Sequence, residues 1–248
     1  MTTFSNSISP RRFIVFTAGL LFAIAPCLAS AQLLGPEGIP AKEKKSKQRR
    51  ESVEWLWQYS PPPADGRENE LLQDPRFQPL LKKYLTAPQA FWGPQAGVRR
   101  SLADTAFDFL AVPGTVSAEN DRYLTITGCV FHFCSNRGLL WVDLNAPQPL
   151  MAFAAIDWTT ENQPPDDPAS TYTLWIFTDQ ALSPQREDSN RIPSALLKSL
   201  QQWAAKPPAG SKHRQNITTA VLVDPDGTPH ELSSDVLGIN GTDTKKKD

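Results

Sequence analysis

The residues with the most chemical potential in this 248-residue chain are packed into one stretch, Cys129-Val130-Phe131-His132-Phe133-Cys134. Two thiols and an imidazole so close together could ligate a metal, cycle electrons or act on a carbonyl, and each chemistry has its own requirements. Tetrahedral zinc needs four ligands and reduced thiolates. Cys129, His132 and Cys134 supply three, and the other two histidines, His213 and His230, lie in polar, turn-like stretches. Haem attachment needs C-x-x-C-H, and a thioredoxin-type centre needs C-x-x-C opening a helix, whereas this pair joins two apolar segments that read as strands. No G-x-S-x-G, P-loop or H-E-x-x-H pattern occurs. Asp157 and Glu161 are the one carboxylate pair imaginable for glycoside chemistry, and both are expected to be solvated at a strand end. The sequence therefore predicts no enzyme, no metal and no cofactor.

What the two cysteines do depends on the compartment. Arg11-Arg12 precede an apolar run from Phe13 to Ala25, and Ala29-Ser30-Ala31 supplies an A-x-A cleavage pattern. Residues 1–31 thus read as a secretory signal peptide, too short for a bilayer span, and the chain is expected in the periplasm. The paired arginines hint at the twin-arginine route. Pro26, placed before Cys27, argues against a lipid anchor. In an oxidising compartment Cys129 and Cys134 are expected to form a disulfide. Closing so short a loop stabilises the fold by only about 2 kcal/mol on the chain-entropy view, so its use is to fix the shape of the loop.

The elements that position this loop follow from periodicity. Residues 32–66 read as an extension: a leader, a helix from Ala41 to Tyr59 that begins basic and ends in Val53, Trp55, Leu56 and Trp57, and a stiff linker at Ser60-Pro-Pro-Pro-Ala-Asp-Gly66. Residues 67–240 read as one domain, with 241–248 a tail. Glu68 to Leu85 is helical in two pieces around Asp74-Pro75, with Leu71, Leu72, Phe77, Leu80, Leu81, Tyr84 and Leu85 as its apolar stripe. Ser101 to Asp104 has the form of a capping box and opens a helix through Phe109. From Thr115 the period becomes two, giving strands at Tyr123–Gly128, Leu139–Leu144, Pro149–Asp157 and Thr171–Thr178. Asn190–Ala205 is an amphipathic helix, and Thr218–Val223 and Thr228–Leu232 form a hairpin about Asp224-Pro-Asp-Gly227. The fold class is α+β: a mainly antiparallel sheet of about five strands covered by helices, with a disulfide-closed protruding loop.

Charge is unevenly spread. Residues 42–50 carry six basic residues and one acidic, whereas residues 51–244 hold 23 acidic against 14 basic, a net charge of −9. Such a body attracts cationic partners and repels nucleic acid and anionic membrane, although solubility alone also accounts for it. No second segment has the length and apolarity of a membrane span.

At the cysteine loop the sequence resembles the inhibitor of vertebrate lysozyme family, periplasmic proteins with the signature C-K-P-H-D-C. Cys129, His132 and Cys134 match it; Val130, Phe131 and Phe133 do not. The flanks match in kind: a strand ending Thr127-Gly128, then Ser135-Asn136-Arg137 leading into an apolar strand, then Met151 to Asp157. The likeness covers roughly Phe77 to Asp157. It implies a loop that enters the lysozyme cleft, where the histidine bonds the two catalytic carboxyls. The partner would be a lysozyme or a related basic glycosidase, and a homodimer is left open. Replacing Lys, Pro and Asp by Val130, Phe131 and Phe133 removes charge, rigidity and a polar contact from the loop. The alternative is a non-inhibitory envelope protein, structural or chaperone-like, using the same fold. For His132 itself two roles stay open: a projecting ligand, or a brace bonded to a neighbouring carbonyl. In an extended turn Phe131 and Phe133 are expected to point opposite to His132.

Overall fold

A computed structural model describes residues 53–59, 67–93, 99–146, 149–160, 163–165, 167–182, 192–233 and 237–238, all within the compact unit Gln48–Asp248. The expected signal peptide at 1–31, the basic run at 42–50, the expected linker at 60–66, Glu161 and the expected tail at 241–248 lie outside the described residues.

The alternation of apolar side chains builds a seven-stranded mixed sheet, in the spatial order of the sequence: β1 (Val112–Glu119), β2 (Tyr123–Val130), β3 (Phe133–Asp143), β4 (Leu150–Trp158), β5 (Thr171–Thr178), β6 (Asn216–Val223) and β7 (Pro229–Leu232). All neighbours run antiparallel except β5 and β6, which are parallel. Antiparallel neighbours need only tight turns, while the parallel pair needs a crossover, and the helix α4 (Ser194–Ala204) lies within it. The expected count of about five strands is corrected to seven. β1 carries Pro113 and Gly114 and buries only Val116, so it shows little alternation; it is an edge strand, where a proline's missing N–H costs nothing. β7 is a four-residue edge strand.

Each face of the sheet has its own core. Leu124, Ile126, Leu140, Val142, Phe153 and Phe177 point to one face, beneath α1 (Arg67–Gln73), α2 (Phe77–Tyr84) and α3 (Leu102–Phe109). The alternate residues Leu139, Trp141, Ala154, Ile156, Leu174 and Ile176 point to the other, where α4 contributes Leu196, Leu200 and Trp203. Because both faces are covered, the central strands are apolar at nearly every position rather than at every second one.

Local chemistry fixes the helices. Asp104 N donates to Ser101 Oγ at 3.1 Å, capping α3 as the sequence predicts. Before α2, Asp74 accepts from Arg76 N at 2.8 Å and from Arg76 Nη2 at 2.6 Å. Tyr59 Oη also donates to Asp74, at 2.6 Å, tying in the 3-10 turn Glu54–Tyr59, whose Leu56 is fully buried in the first core. These bonds, above all those from the Arg76 side chain, hold the Asp74 carboxyl well below the usual carboxylate range.

Candidate functional site: the disulfide-closed hairpin tip

Strands β2 and β3 pair in simple register up to Gly128 opposite Gly138 and Cys129 opposite Arg137, after which Val130 meets Phe133. Cys134, Ser135 and Asn136 are therefore extra residues on β3, and they bulge out of the ladder. The Cys129–Cys134 disulfide spans this bulge, with the two Cα atoms 4.8 Å apart. Beyond it Phe131 and His132 form the turn.

His132 sits at φ +61°, in the left-handed region. Histidine enters that region more readily than branched residues do. The expectation that Phe131 points opposite to His132 is corrected here, because alternation holds along an extended strand and a left-handed turn residue breaks it. The rings of Phe131 and His132 lie together, with centroids 3.9 Å apart. Phe133, back in the strand, packs edge-on against Trp158 at 5.9 Å. Phe131 is 65 % exposed, the one large exposed apolar side chain among the described residues. His132 is exposed too, and its ring makes no hydrogen bond to any described residue.

The base of the tip is anchored by buried polar groups. On one side, Asn136 Nδ2 donates to Asp157 Oδ1 at 2.6 Å, while Trp158 N donates to Asn136 Oδ1 at 3.1 Å. On the other, Gln215 Nε2 donates to the Ser135 carbonyl at 2.6 Å and Gln215 Oε1 accepts from Arg137 Nε at 2.6 Å. Buried polar groups joined in this way fix a shape more sharply than apolar packing does. From the opposite face of the sheet, the Phe109–Leu110 end of α3 closes on Gly128 and Gly138.

Asp157 was expected to be solvated and is instead half-buried. Burial pushes its carboxyl up to about 6, against the opposing pull of the Asn136 bond. Its companion Glu161 lies outside the described residues, so the carboxylate pair has only one described member. His230 Nε2 lies 2.7 Å from Asp224 Oδ2 in the β6–β7 turn, and His213 is exposed after α4. Neither belongs to the hairpin tip. Among the described residues no group of three or more His, Cys, Asp and Glu side chains could hold a metal ion.

The chain matches no family model, no curated protein and no solved structure. Function is therefore argued from this tip and its supports. The sequence singled out Cys129, Val130, Phe131, His132, Phe133 and Cys134, and they do form one continuous tip. It missed Asn136, Arg137 and Gln215, which hold that tip in place. A trace of them was visible, since Asn136-Arg137 are two strongly polar residues at the head of an otherwise apolar strand.

Proposed function

We propose that this protein blocks a lysozyme or related glycosidase in the periplasm by placing the Cys129–Cys134 hairpin tip in the enzyme's cleft. The observation that carries the proposal is His132: an exposed imidazole, unbonded to any described residue, at the end of a tip closed by a disulfide. A brace would be bonded to its neighbours, so the projecting role is the better supported of the two.

The chemistry follows from the target. A retaining glycosidase holds two carboxyls about 5–5.5 Å apart, and a doubly protonated imidazole offers one N–H donor to each. The inhibitor is not cleaved because it presents no glycosidic bond. Phe131 beside it adds an aromatic anchor of the kind that dominates interface energetics. The −9 charge of residues 51–244 steers the protein towards a basic enzyme.

A second reading draws on the same Phe131. Where the signature of the resembling family has a proline, this chain exposes an aromatic ring, which suits an apolar pocket on a non-enzymatic envelope partner. Inhibition assays against a panel of lysozymes and lytic glycosidases separate the two. Stoichiometric inhibition of at least one enzyme supports the plug; binding without inhibition across the panel favours the envelope partner.

A further inference from the structure

Arg137 is 6 % exposed, and no described carboxylate lies within ion-pair distance of it. Its Nε donates to Gln215 and its Nη1 to the Lys206 carbonyl at 2.8 Å. Nη2 is buried with no hydrogen-bond partner among the described residues. The guanidinium also lies 5.2 Å from the ring centre of Trp203. Buried charges are ordinarily paired, because an isolated one forfeits its hydration for nothing. Burial accordingly draws this arginine down to about 10.

The same residue lines a cavity of about 280 Å³ between α4 and the β1–β2 edge of the sheet. Here the sheet face changes character. Ser117 and Thr125 present hydroxyls from β1 and β2, while Val112, Pro113 and Trp203 supply apolar wall. Glu119 is the single carboxylate on the lining, and it is already paired with Lys198 of α4. Lys206 adds a second cation. The cavity therefore borders a buried positive charge that no described carboxylate pairs, carries a second cation and has an apolar wall.

We propose that this cavity is a binding site for a small organic carboxylate, whose charge Arg137 offsets and whose body packs against Trp203, Val112 and Pro113. A guanidinium with no described carboxylate partner favours a carboxylate over its neutral counterpart, and Lys206 on the lining adds to that preference. The volume lies at the lower end for ligand pockets and restricts the body to about one ring. Arg137 stands directly opposite Cys129 in the ladder, so the ligand would rest against the base of the hairpin tip. The site does not depend on glycosidase inhibition.

The test is calorimetric titration of the native full-length protein with benzoate and with benzamide, its neutral counterpart. Benzoate should bind saturably, and benzamide at least about tenfold more weakly. Arg137→Met should abolish the preference for benzoate. Because that variant also loses the bonds to Gln215 and Lys206, Ser117→Tyr serves as the second arm: it fills the cavity, leaves Arg137 untouched and should weaken benzoate at least about tenfold. The proposal is overturned by equal binding of the two probes, by no saturable benzoate binding up to about 10 mM, or by benzoate binding that survives Ser117→Tyr unchanged.

Discussion

Gly128 and Gly138 stand directly opposite each other across β2 and β3, and the end of α3 occupies the space that side chains there would fill. A Cβ on Gly138 would lie 2.7 Å from the Phe109 carbonyl oxygen, and one on Gly128 would lie 2.7 Å from Leu110 Cα. Both obstacles are backbone, which cannot swing aside. Gly138→Ala should therefore destabilise the fold by about 1–3 kcal/mol, read as a fall in the denaturant midpoint. A variant as stable as the parent would show that α3 does not seat on this pair.

The disulfide should be present in protein isolated under native conditions, with no titratable thiol at Cys129 or Cys134. Replacing both by serine should cost about 2 kcal/mol or less in stability, since the closed loop is short and Asn136 and Gln215 still hold the bulge. Thiol titration before and after denaturation measures the first, and thermal melting the second. Two reactive thiols in the native protein would remove the closed loop.

Stability should fall as pH rises from about 5 to 7.5. Burial pushes Asp157 and Asp179 each up to about 6, so folding takes up protons between the unfolded carboxylate value and that figure. Their favourable contribution is complete at acid pH and lost through pH 6. Asp74, held low chiefly by Arg76, acts in the other direction: its contribution is present above the unfolded value and lost as pH falls. Asp157→Asn should remove roughly 1 kcal/mol of the decline between pH 5 and 7.5. Parallel pH–stability curves for parent and variant would contradict the burial of this carboxyl.

The sequence made much of this fold legible, and particular residues explain what it hid. The Ser101 cap, the stripe of Leu80, Leu81 and Phe77, and the turn at Asp224–Gly227 are local signals, and each element stands where its signal lies. β1 was only half legible, with residues 110–114 readable as a strand end or a helix end, because its hydrogen bonds to β2, rather than its side chains, make it a strand. The Arg137–Gln215 bond joins residues 78 positions apart, so no local pattern could announce it. His132 in the left-handed region is likewise set by the bulge that the ladder requires, not by its own preference.

If a lysozyme is the target, association should slow as salt rises. Attraction between the acidic body and a basic enzyme is screened beyond about 8–10 Å at 0.1–0.15 M salt. Stopped-flow association rates across an ionic-strength series measure this, and a flat series would remove electrostatic steering while leaving the role of the hairpin tip untouched.

The most direct measurement is the inhibition constant of His132→Ala against a lysozyme that the parent inhibits, taken together with the melting temperature. The His132 ring makes no hydrogen bond to any described residue, so melting should be nearly unchanged. Losing the two-donor contact and leaving enzyme carboxyls buried and unpaired should cost about 2 kcal/mol or more, a loss of roughly 30-fold in inhibition. A His132→Ala protein that inhibits as well as the parent would contradict the account.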